Sequence, residues 1–335
     1  MSEVLIEVTR GGLVESIHRG HAVVVDVEGN ILYSVGNPYY FTYLRSAAKP
    51  LQVIPLIESG AAERFSFTPA EIAVMCGSHA GEPVHVETVK SILDKIGASP
   101  SALLCGIHRP FHRPTANRLI ENREKPTELH NNCSGKHSAM LALALHHGWP
   151  LEKYLAPDHP VQKTMLDTIS HMCQLPEEEI VVGTDGCGVP VFGMPLYNMA
   201  LAFASLVEPR KISGKKREAC HFISEAMLSN PVMVSGSGRI CTELINHGRG
   251  NIVAKAGAEA VYCLGIKNYG WGVALKIEDG SQRAVSPAVI EILRQLRLLD
   301  ASQLQALNEF HRPEVKNFRG ETVGMIRPVF KLKHC

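Results

Sequence analysis

Hydrophobic residues near both ends of the chain occur in short runs that are typical of β-strands. Residues 4–11 and 21–36 form two such runs, and the second is interrupted at Glu28-Gly29-Asn30, which has the composition of a hairpin turn. Two further runs cover residues 269–279 and 322–332. The pattern therefore predicts strands at the beginning and at the end of the chain.

The middle of the chain follows helical spacing instead. Apolar positions recur three and four residues apart over residues 51–60, and this run stops at Gly60. Thr68-Pro69-Ala70-Glu71 has the order of a helix start, with threonine as N-cap, proline in the first turn and a glutamate that closes a capping box. The same reasoning predicts further helices over residues 84–96, 138–148, about 158–173, 195–207, 216–228 and 286–299.

Residues 105–130 do not follow either pattern. Several prolines interrupt this stretch, and we interpret it as an irregular loop that proline makes stiff. His108 and His112 lie four residues apart, which is a common spacing for metal ligands on a helix. Because Pro110 lies between them and forbids one continuous helix, we do not expect this pair to bind a metal.

The elements come in the order strands, helices, strands. This order predicts an α+β fold in which the N- and C-terminal strands share one antiparallel sheet and the helix-rich middle forms a second lobe. We expect a single unit over residues 1–335, with residues 1–60 and 250–335 in the sheet lobe and residues 61–249 in the helix-rich lobe. A site is expected in the cleft between the lobes.

Composition and charge argue against several classes of function. The chain has 335 residues, of which 45% are hydrophobic, and its formal net charge is +1, so nothing in the charge favours nucleic acid or an anionic membrane as a partner. No apolar run approaches the roughly 18 residues that a membrane span needs. The N-terminus also lacks the basic and then apolar order of a signal peptide. We therefore expect a cytoplasmic protein.

Cysteine usage fits a reducing compartment. The nine cysteines are odd in number and scattered singly, so a disulfide framework is not expected. Four lie in apolar or helical contexts and are expected to be buried thiols: Cys105, Cys173, Cys220 and Cys263. Three lie in or next to polar, glycine-rich segments instead: Cys133, Cys187 and Cys241.

The segment Arg45-Ser46-Ala47-Ala48-Lys49-Pro50 carries the first candidate chemistry. Residues three apart on a helical turn are neighbours, so the Ser46 hydroxyl can face the Lys49 amine. A lysine removes a proton from serine only when burial or a nearby positive charge lowers the pKa of its amine. The spacing alone is weak evidence, since Ser213 and Lys216 share it by chance.

Four other polar segments contain reactive side chains. They are Cys76-Gly77-Ser78-His79, residues 131–137 at the start of a helix, Thr184-Asp185-Gly186-Cys187-Gly188, and Lys255-Ala256-Gly257 at a strand end. Together they supply a nucleophile, bases and oxyanion donors, which is what a hydrolytic site needs. The order of Ser46-x-x-Lys49, a Ser-Gly-Lys and a Lys-Ala-Gly also resembles the S-x-x-K, S-D-N and K-T-G motifs of serine-acylating β-lactam enzymes, although the second and third matches are imperfect.

The combination of these five segments over nearly the whole chain resembles the Rhizobium etli-type L-asparaginases, the asparaginase II family. This resemblance implies a fold of the serine β-lactamase and glutaminase kind. It also implies two Ser–Lys tandems, Ser46 with Lys49 and Ser78 with Lys255. By this resemblance Ser46 attacks the side-chain amide of asparagine, and water then hydrolyses the acyl-enzyme to aspartate. Two neighbouring ammonium groups lower each other's pKa, which gives a physical reason for the second lysine.

The resemblance further implies a zinc ion and a homodimer. The matching zinc ligands are Cys133, Cys187 and Lys136, and lysine is a rare ligand that must first lose its proton. No organic cofactor is implied. The candidates for contact with the substrate or for support of the metal ligands are Arg45, Asn132, His137 and Asp185. The resemblance also implies that Cys241 lies near the site. Its thiol is expected either to be sensitive to oxidation or to be an ordinary packed thiol.

Two alternatives stay open at this point. The first is a glutaminase or another acyl-serine hydrolase of the same fold, because one methylene in the substrate is worth only about 1–3 kcal/mol of discrimination. The second is a zinc-binding regulatory protein that has lost activity, since a fold does not fix a function. The presence of Ser46, Lys49, Ser78 and Lys255 argues against the second alternative.

Overall fold

The computed structural model describes residues 1–335 and contains two β-sheets with helices packed around them. The strands are β1 (Glu3–Arg10), β2 (Leu13–Asp26), β3 (Ile31–Val35), β4 (Phe41–Tyr43), β5 (Val181–Thr184), β6 (Pro190–Pro195), β7 (Ile252–Ala256), β8 (Val261–Ile266), β9 (Trp271–Ile277), β10 (Glu314–Lys316), β11 (Thr322–Pro328) and β12 (Lys333–His334). The α-helices are α1 (Lys49–Glu58), α2 (Ala61–Arg64), α3 (Pro69–Cys76), α4 (Pro83–Ile96), α5 (Arg113–Glu121), α6 (Ser134–His147), α7 (Pro160–Cys173), α8 (Leu196–Val207), α9 (Gly214–Ser229), α10 (Pro231–Val234), α11 (Ile240–His247), α12 (Val285–Gln295), α13 (Ala301–Ala306) and α14 (Asn308–His311).

The larger sheet joins the two ends of the chain. Its strand order is β10-β11-β1-β2-β9-β8-β7, and β3 pairs with both β2 and β12 beside this path. All of these pairs are antiparallel. The strands lie within residues 3–35 and 252–334, on either side of a helix-rich middle. The predicted α+β class, with one antiparallel sheet from the N- and C-terminal strands, is confirmed.

The centre of this sheet is apolar because helices pack on it. Val23, Val24 and Val25 of β2 have no exposed surface, and α8 packs on β2, β8 and β9. The contact between α8 and β9 requires glycine at residue 272, where a Cβ atom would lie 1.7 Å from the carbonyl oxygen of Ala200. Helix α8 thereby connects the sheet to α7 and α9 of the helical lobe.

Helix α3 follows the local rules that its sequence predicts. Thr68 accepts a hydrogen bond from the backbone N–H of Glu71, and the Glu71 carboxylate accepts one from the Thr68 N–H, so the capping box is formed. The helix runs to Cys76, and Gly77 follows in extended conformation. This abrupt end places the next residue, Ser78, at the beginning of a loop.

Three elements differ from the expectations drawn from sequence. Residues 105–130 are not wholly irregular, because α5 begins at Arg113; Pro114 lies in its first turn, where a missing N–H breaks no bond, and the His112 side chain caps it. Strand β8 was not predicted, since its apolar run lacks an alternating pattern. A second, three-stranded sheet of order β4-β6-β5 was not foreseen as a separate sheet. None of the helices has the length and apolar character needed to cross a bilayer.

Candidate active site

The Ser-x-x-Lys segment forms one 3-10 turn, Arg45–Ala48, that leads into α1. Arg45 has a φ of +50°, a left-handed conformation that is strained for a residue with a side chain. Residues three apart superimpose in a 3-10 turn, so Ser46 and Lys49 leave the backbone on the same side. Strain of this kind persists only where surrounding contacts hold it, and it occurs often at functional sites.

Lys49 is fully buried, and its amine binds two segments that are distant from each other in the chain. Its Nζ donates to the carbonyl oxygen of Gly77 at 2.8 Å, to the Ser78 hydroxyl at 3.0 Å and to the carbonyl oxygen of Asn132 at 2.9 Å. A lysine with no exposed surface is rare unless its charge is paired or its amine has a task. Here the three acceptors join the loop after α3 to the start of α6.

Lys255 approaches the same hydroxyl from β7. Its Nζ lies 2.8 Å from Ser78 Oγ and 2.7 Å from the carbonyl oxygen of Ala256, and the residue is 1% exposed. Burial, and then the positive charge of Lys49, lower the pKa of the Lys255 amine to about 7. Near neutral pH this amine therefore has a substantial neutral fraction, which can accept the Ser78 proton.

Ser46 lies on the same turn as Lys49 but makes a different contact from the expected one. Its carbonyl oxygen accepts the backbone N–H of Lys49, whereas no hydrogen bond joins Ser46 Oγ to Lys49 Nζ. The Lys49 amine reaches past it to Ser78, so both lysines meet at the second serine. Ser46 is half-buried and its hydroxyl has no protein partner, which leaves it free to meet a ligand.

Arg45 and Asp185 form an ion pair beside this turn. The Arg45 Nε and one terminal nitrogen both lie 2.9 Å from Asp185 Oδ1, and the Gly186 N–H donates to the same oxygen at 2.8 Å. Burial raises the pKa of Asp185, but the charge of Lys136, the Gly186 hydrogen bond and Arg45 outweigh it and lower the pKa. Asp185 is therefore a carboxylate at neutral pH, with Oδ2 unused by any protein donor.

The three predicted metal ligands also come together. Lys136 Nζ lies 3.1 Å from Cys187 Sγ, and the Cys133 and Cys187 thiols are near enough to shift each other's pKa. All three are buried: Cys133 is 6%, Lys136 2% and Cys187 5% exposed. Gly135 lets α6, which carries Lys136, pack closely on α3, because a Cβ there would lie 2.3 Å from the carbonyl oxygen of Val74.

The two thiols of this cluster differ in pKa. The contact with Cys187 lowers the pKa of the Cys133 thiol well below its ordinary value despite burial, whereas the contact with Cys133, and then burial, raise the pKa of the Cys187 thiol. Burial lowers the pKa of Lys136, but Cys187, Cys133 and Asp185 raise it by more. No group of three or more His, Cys, Asp or Glu that could hold a metal is found in the protein. Two thiolate sulfurs and one neutral amine nitrogen are ligands that Zn²⁺ accepts, so these residues fit zinc if Cys187 and Lys136 give up their protons.

The other predicted residues surround these groups. His137 Nδ1 lies 2.6 Å from the Tyr154 hydroxyl, and burial lowers the pKa of His137 well below its ordinary value. Its Nε2 is buried without a partner. Asn132 contributes its carbonyl oxygen to Lys49 and its N–H to His108 Nε2, at 3.0 Å.

Cys241 lies against the strand that carries Lys255. Its sulfur accepts the backbone N–H of Ala256 and the Tyr262 hydroxyl, each at 3.2 Å, and the residue is 1% exposed. These contacts are those of a packed thiol that helps to place β7. Its oxidation sensitivity stays a prediction.

Several supporting residues escaped the sequence reasoning. His79 Nε2 lies 2.8 Å from the Ser134 hydroxyl, and the Gly81 N–H donates to His79 Nδ1, so the neutral ring donates to Ser134. Asn131 accepts the Cys133 N–H at 2.8 Å. These residues are neighbours of candidate residues in the sequence. However, His79 and Ser134, which are in contact, lie 55 residues apart in the chain, and no local pattern predicts such a contact.

The family model described as L-asparaginase II matches residues 6–328. No curated protein matches the chain. A β-lactamase from Mycobacterium bovis aligns at 13% identity over 87% of this chain and 95% of its own, with a TM-score of 0.38. Mglu in its glutamate form aligns at 13% identity over 84% of this chain and 62% of its own, with a TM-score of 0.40.

Proposed function

The chain belongs to the L-asparaginase II family, which supports an amidohydrolase, and we propose that it hydrolyses L-asparagine to L-aspartate and ammonia through an acyl-serine intermediate. One observation carries the proposal: the Ser78 hydroxyl lies between two buried lysine amines, at 3.0 Å from Lys49 and 2.8 Å from Lys255. Buried amines at a partly exposed hydroxyl provide bases for acyl transfer.

The first chemical step is attack by Ser46. Its oxygen bonds to the side-chain amide carbon, and its proton passes to the group formed by Lys49, Ser78 and Lys255. Collapse of the tetrahedral adduct breaks the C–N bond, and the leaving nitrogen takes a proton from that group to depart as ammonia. Water then attacks the ester, gives its proton to the same group and releases aspartate with the Ser46 hydroxyl restored.

Substrate orientation is assigned to Asp185. Its Oδ1 is saturated by Arg45 and Gly186, while Oδ2 is free to accept the α-ammonium of an amino acid. Arg45 fixes the carboxylate through Oδ1, and the Arg45 backbone leads directly to Ser46. The ion pair therefore couples the position of the substrate's α-ammonium group to the position of the Ser46 hydroxyl.

Cys133, Lys136 and Cys187 are proposed to hold one Zn²⁺. When bound, zinc would supply a Lewis acid that orients the carboxylate or amine of the substrate. Because the pKa of Lys136 is raised in the metal-free cluster, binding would release its proton.

Metal content tests this proposal without any activity assay. Protein purified with zinc and then dialysed should retain about one zinc per chain, as metal sites of this kind bind tightly. Loss of a residue that only contacts a metal ligand typically weakens metal binding about 10–100-fold. Cys133→Ser and Cys187→Ser each replace a proposed ligand itself, so each should weaken zinc binding by more than that. Cys335→Ser, the same change at an exposed thiol, is the control and should bind zinc as the wild type does. Equal zinc in all four proteins would contradict the assignment.

Ammonia release from asparagine and from glutamine tests the activity. We expect turnover of asparagine, with kcat/KM for glutamine lower by about 10-fold or more, because an extra methylene is worth about 1–3 kcal/mol in a fitted pocket. A coupled assay over a range of substrate concentrations measures both. Preference for glutamine would assign the glutaminase alternative, and ammonia at the uncatalysed rate from both amides would contradict the proposal.

The predicted homodimer and cytoplasmic location stay predictions. Size-exclusion chromatography with light scattering measures the first.

A further inference from the structure

Glu82 is a buried carboxylate with no cationic partner. The residue is 8% exposed, and none of the ion pairs of the protein includes it. Two other buried glutamates are paired, Glu71 with Lys95 and Glu291 with Arg294. A buried carboxylate without a cationic partner lowers the stability of the fold, so the presence of Glu82 at this position needs another explanation.

The partner of Glu82 is a neutral residue from a distant segment. The backbone N–H of Ser237 donates to Glu82 Oε1 at 2.7 Å, and the Ser237 hydroxyl donates to Oε2 at 2.9 Å. Burial raises the pKa of Glu82, but these two hydrogen bonds, with smaller contributions from His85 and His112, together lower it by more. Both bonds are charge-assisted and both oxygens are used, so Glu82 holds Ser237 in one orientation.

Residues 232–237, here called the 232–237 segment, run alongside the loop that contains Ser78. The Ser78 N–H donates to the carbonyl oxygen of Val234 at 2.8 Å. His85 takes the Glu82 N–H on Nδ1, so its Nε2–H donates to the carbonyl oxygen of Val232 at 2.9 Å. Three contacts therefore fix the segment against this loop, at residues 78, 82 and 85.

The Gly77–Ser78 peptide is consequently held on both sides. Lys49 Nζ binds the Gly77 carbonyl oxygen at 2.8 Å, and the 232–237 segment binds the Ser78 N–H. The approach is close enough that a Cβ at Gly77 would lie 2.5 Å from the carbonyl oxygen of Met233. The place of the Ser78 hydroxyl between Lys49 and Lys255 thus depends on where the segment lies.

We propose that Glu82 is a positioning residue: by binding Ser237 it holds the 232–237 segment against the Gly77–Ser78 peptide and so keeps the Ser78 hydroxyl within reach of both lysine amines. Glu82 has no contact with the reacting groups themselves. The rate measurements below rest on the proposed amidohydrolase function, whereas the exchange measurement does not.

Hydrogen exchange followed by mass spectrometry tests the contact directly. In Glu82→Gln, the amides of the peptide that contains Ser78 should exchange about tenfold faster than in wild type, since an amide nitrogen cannot accept the bond that an oxygen accepted. Glu87→Gln makes the same change at an exposed position of α4, the helix that follows Glu82, and should leave this exchange unchanged. Equal exchange at Ser78 in both variants would overturn the proposal.

Steady-state kinetics then separates positioning from a structural role. We expect Glu82→Gln to lower kcat by about 10–100-fold with KM within about twofold, because displacement of a proton-transferring group slows chemistry more than binding. Glu87→Gln should have wild-type kcat. A lower melting temperature of Glu82→Gln with unchanged kcat would overturn the proposal. If the wild type releases no ammonia, the proposed function fails, and the exchange result alone decides the role of Glu82.

Ser237→Ala is a milder variant that keeps the test available if Glu82→Gln does not fold. It removes only the hydroxyl bond from an exposed residue, and kcat should fall by about 3–10-fold. In the double variant the two losses in kcat should combine to less than their product, because both remove one shared interaction. Fully multiplicative losses would contradict the coupling.

Discussion

Ser46→Ala is expected to lower kcat for asparagine hydrolysis by about 10⁴-fold or more, as removal of a nucleophile does in other acyl-serine enzymes. The Ser46 hydroxyl has no protein hydrogen bond and is half-buried, so it is available to a substrate. The Ser78 hydroxyl is instead fixed between two amines, which suits passage of a proton. Rapid quench during turnover, followed by mass spectrometry, should find the acyl group on the peptide that contains Ser46.

Ser213→Ala is the matched control for this prediction. Ser213 and Lys216 have the same Ser-x-x-Lys spacing, but Ser213 is exposed and precedes α9 on the surface. Its replacement should leave kcat unchanged. Turnover by Ser46→Ala within about tenfold of wild type, together with an acyl group on the Ser78 peptide, would contradict the assignment and make Ser78 the nucleophile.

The local chemistry of the chain predicts single elements and their ends well. The capping box at Thr68 and Glu71 forms as its order indicates, because all of its partners lie within one turn. The helix at Arg113 was missed for the converse reason. Proline forbids the interior of a helix but is tolerated in its first turn, and only the fold decides which position Pro114 takes.

The contacts of the two lysines could not be predicted from spacing. Ser46 and Lys49 are neighbours along the turn, yet the amine of a long side chain reaches whatever acceptors the packing brings to it. Those acceptors lie just after α3 and just before α6, and they meet because Gly135 lets the two helices approach. A motif thus identifies the reactive groups, whereas long-range packing decides which of them form pairs.

Lys255 shows how the fold gives a reactive group its properties. No feature of the sequence around it indicates a lowered pKa; burial of its side chain and then the nearby charge of Lys49 lower it. The unfolded chain holds this proton up to an ordinary pKa of 10.5, and the folded protein releases it at a pKa of about 7. Between these values the unfolded state binds more protons, so this residue makes stability rise with pH.

Lys255→Met is therefore expected to have opposite effects on activity and on stability. In wild type, kcat/KM should rise about tenfold per pH unit below about pH 7 and become constant above that pH, because the neutral Lys255 amine becomes populated. Lys255→Met should lower kcat/KM by about 10²–10⁴-fold at pH 8. The rise through about 7 should also disappear. Assays from pH 5.5 to 9 in buffers of constant ionic strength measure both quantities.

The same substitution removes a charge that the fold buries at low pH. Below about pH 7 the wild type carries the full penalty of a buried ammonium, and lowering the pKa of a group by one corresponds to about 1.4 kcal/mol. The free energy of unfolding of Lys255→Met, measured in urea, should thus exceed that of wild type by more at pH 6 than at pH 9. Lys255→Arg keeps a cation that cannot act as a base, so it should be as inactive as Lys255→Met without the gain in stability. An active Lys255→Arg would show instead that a fixed positive charge, rather than a base, is what the Ser78 hydroxyl needs.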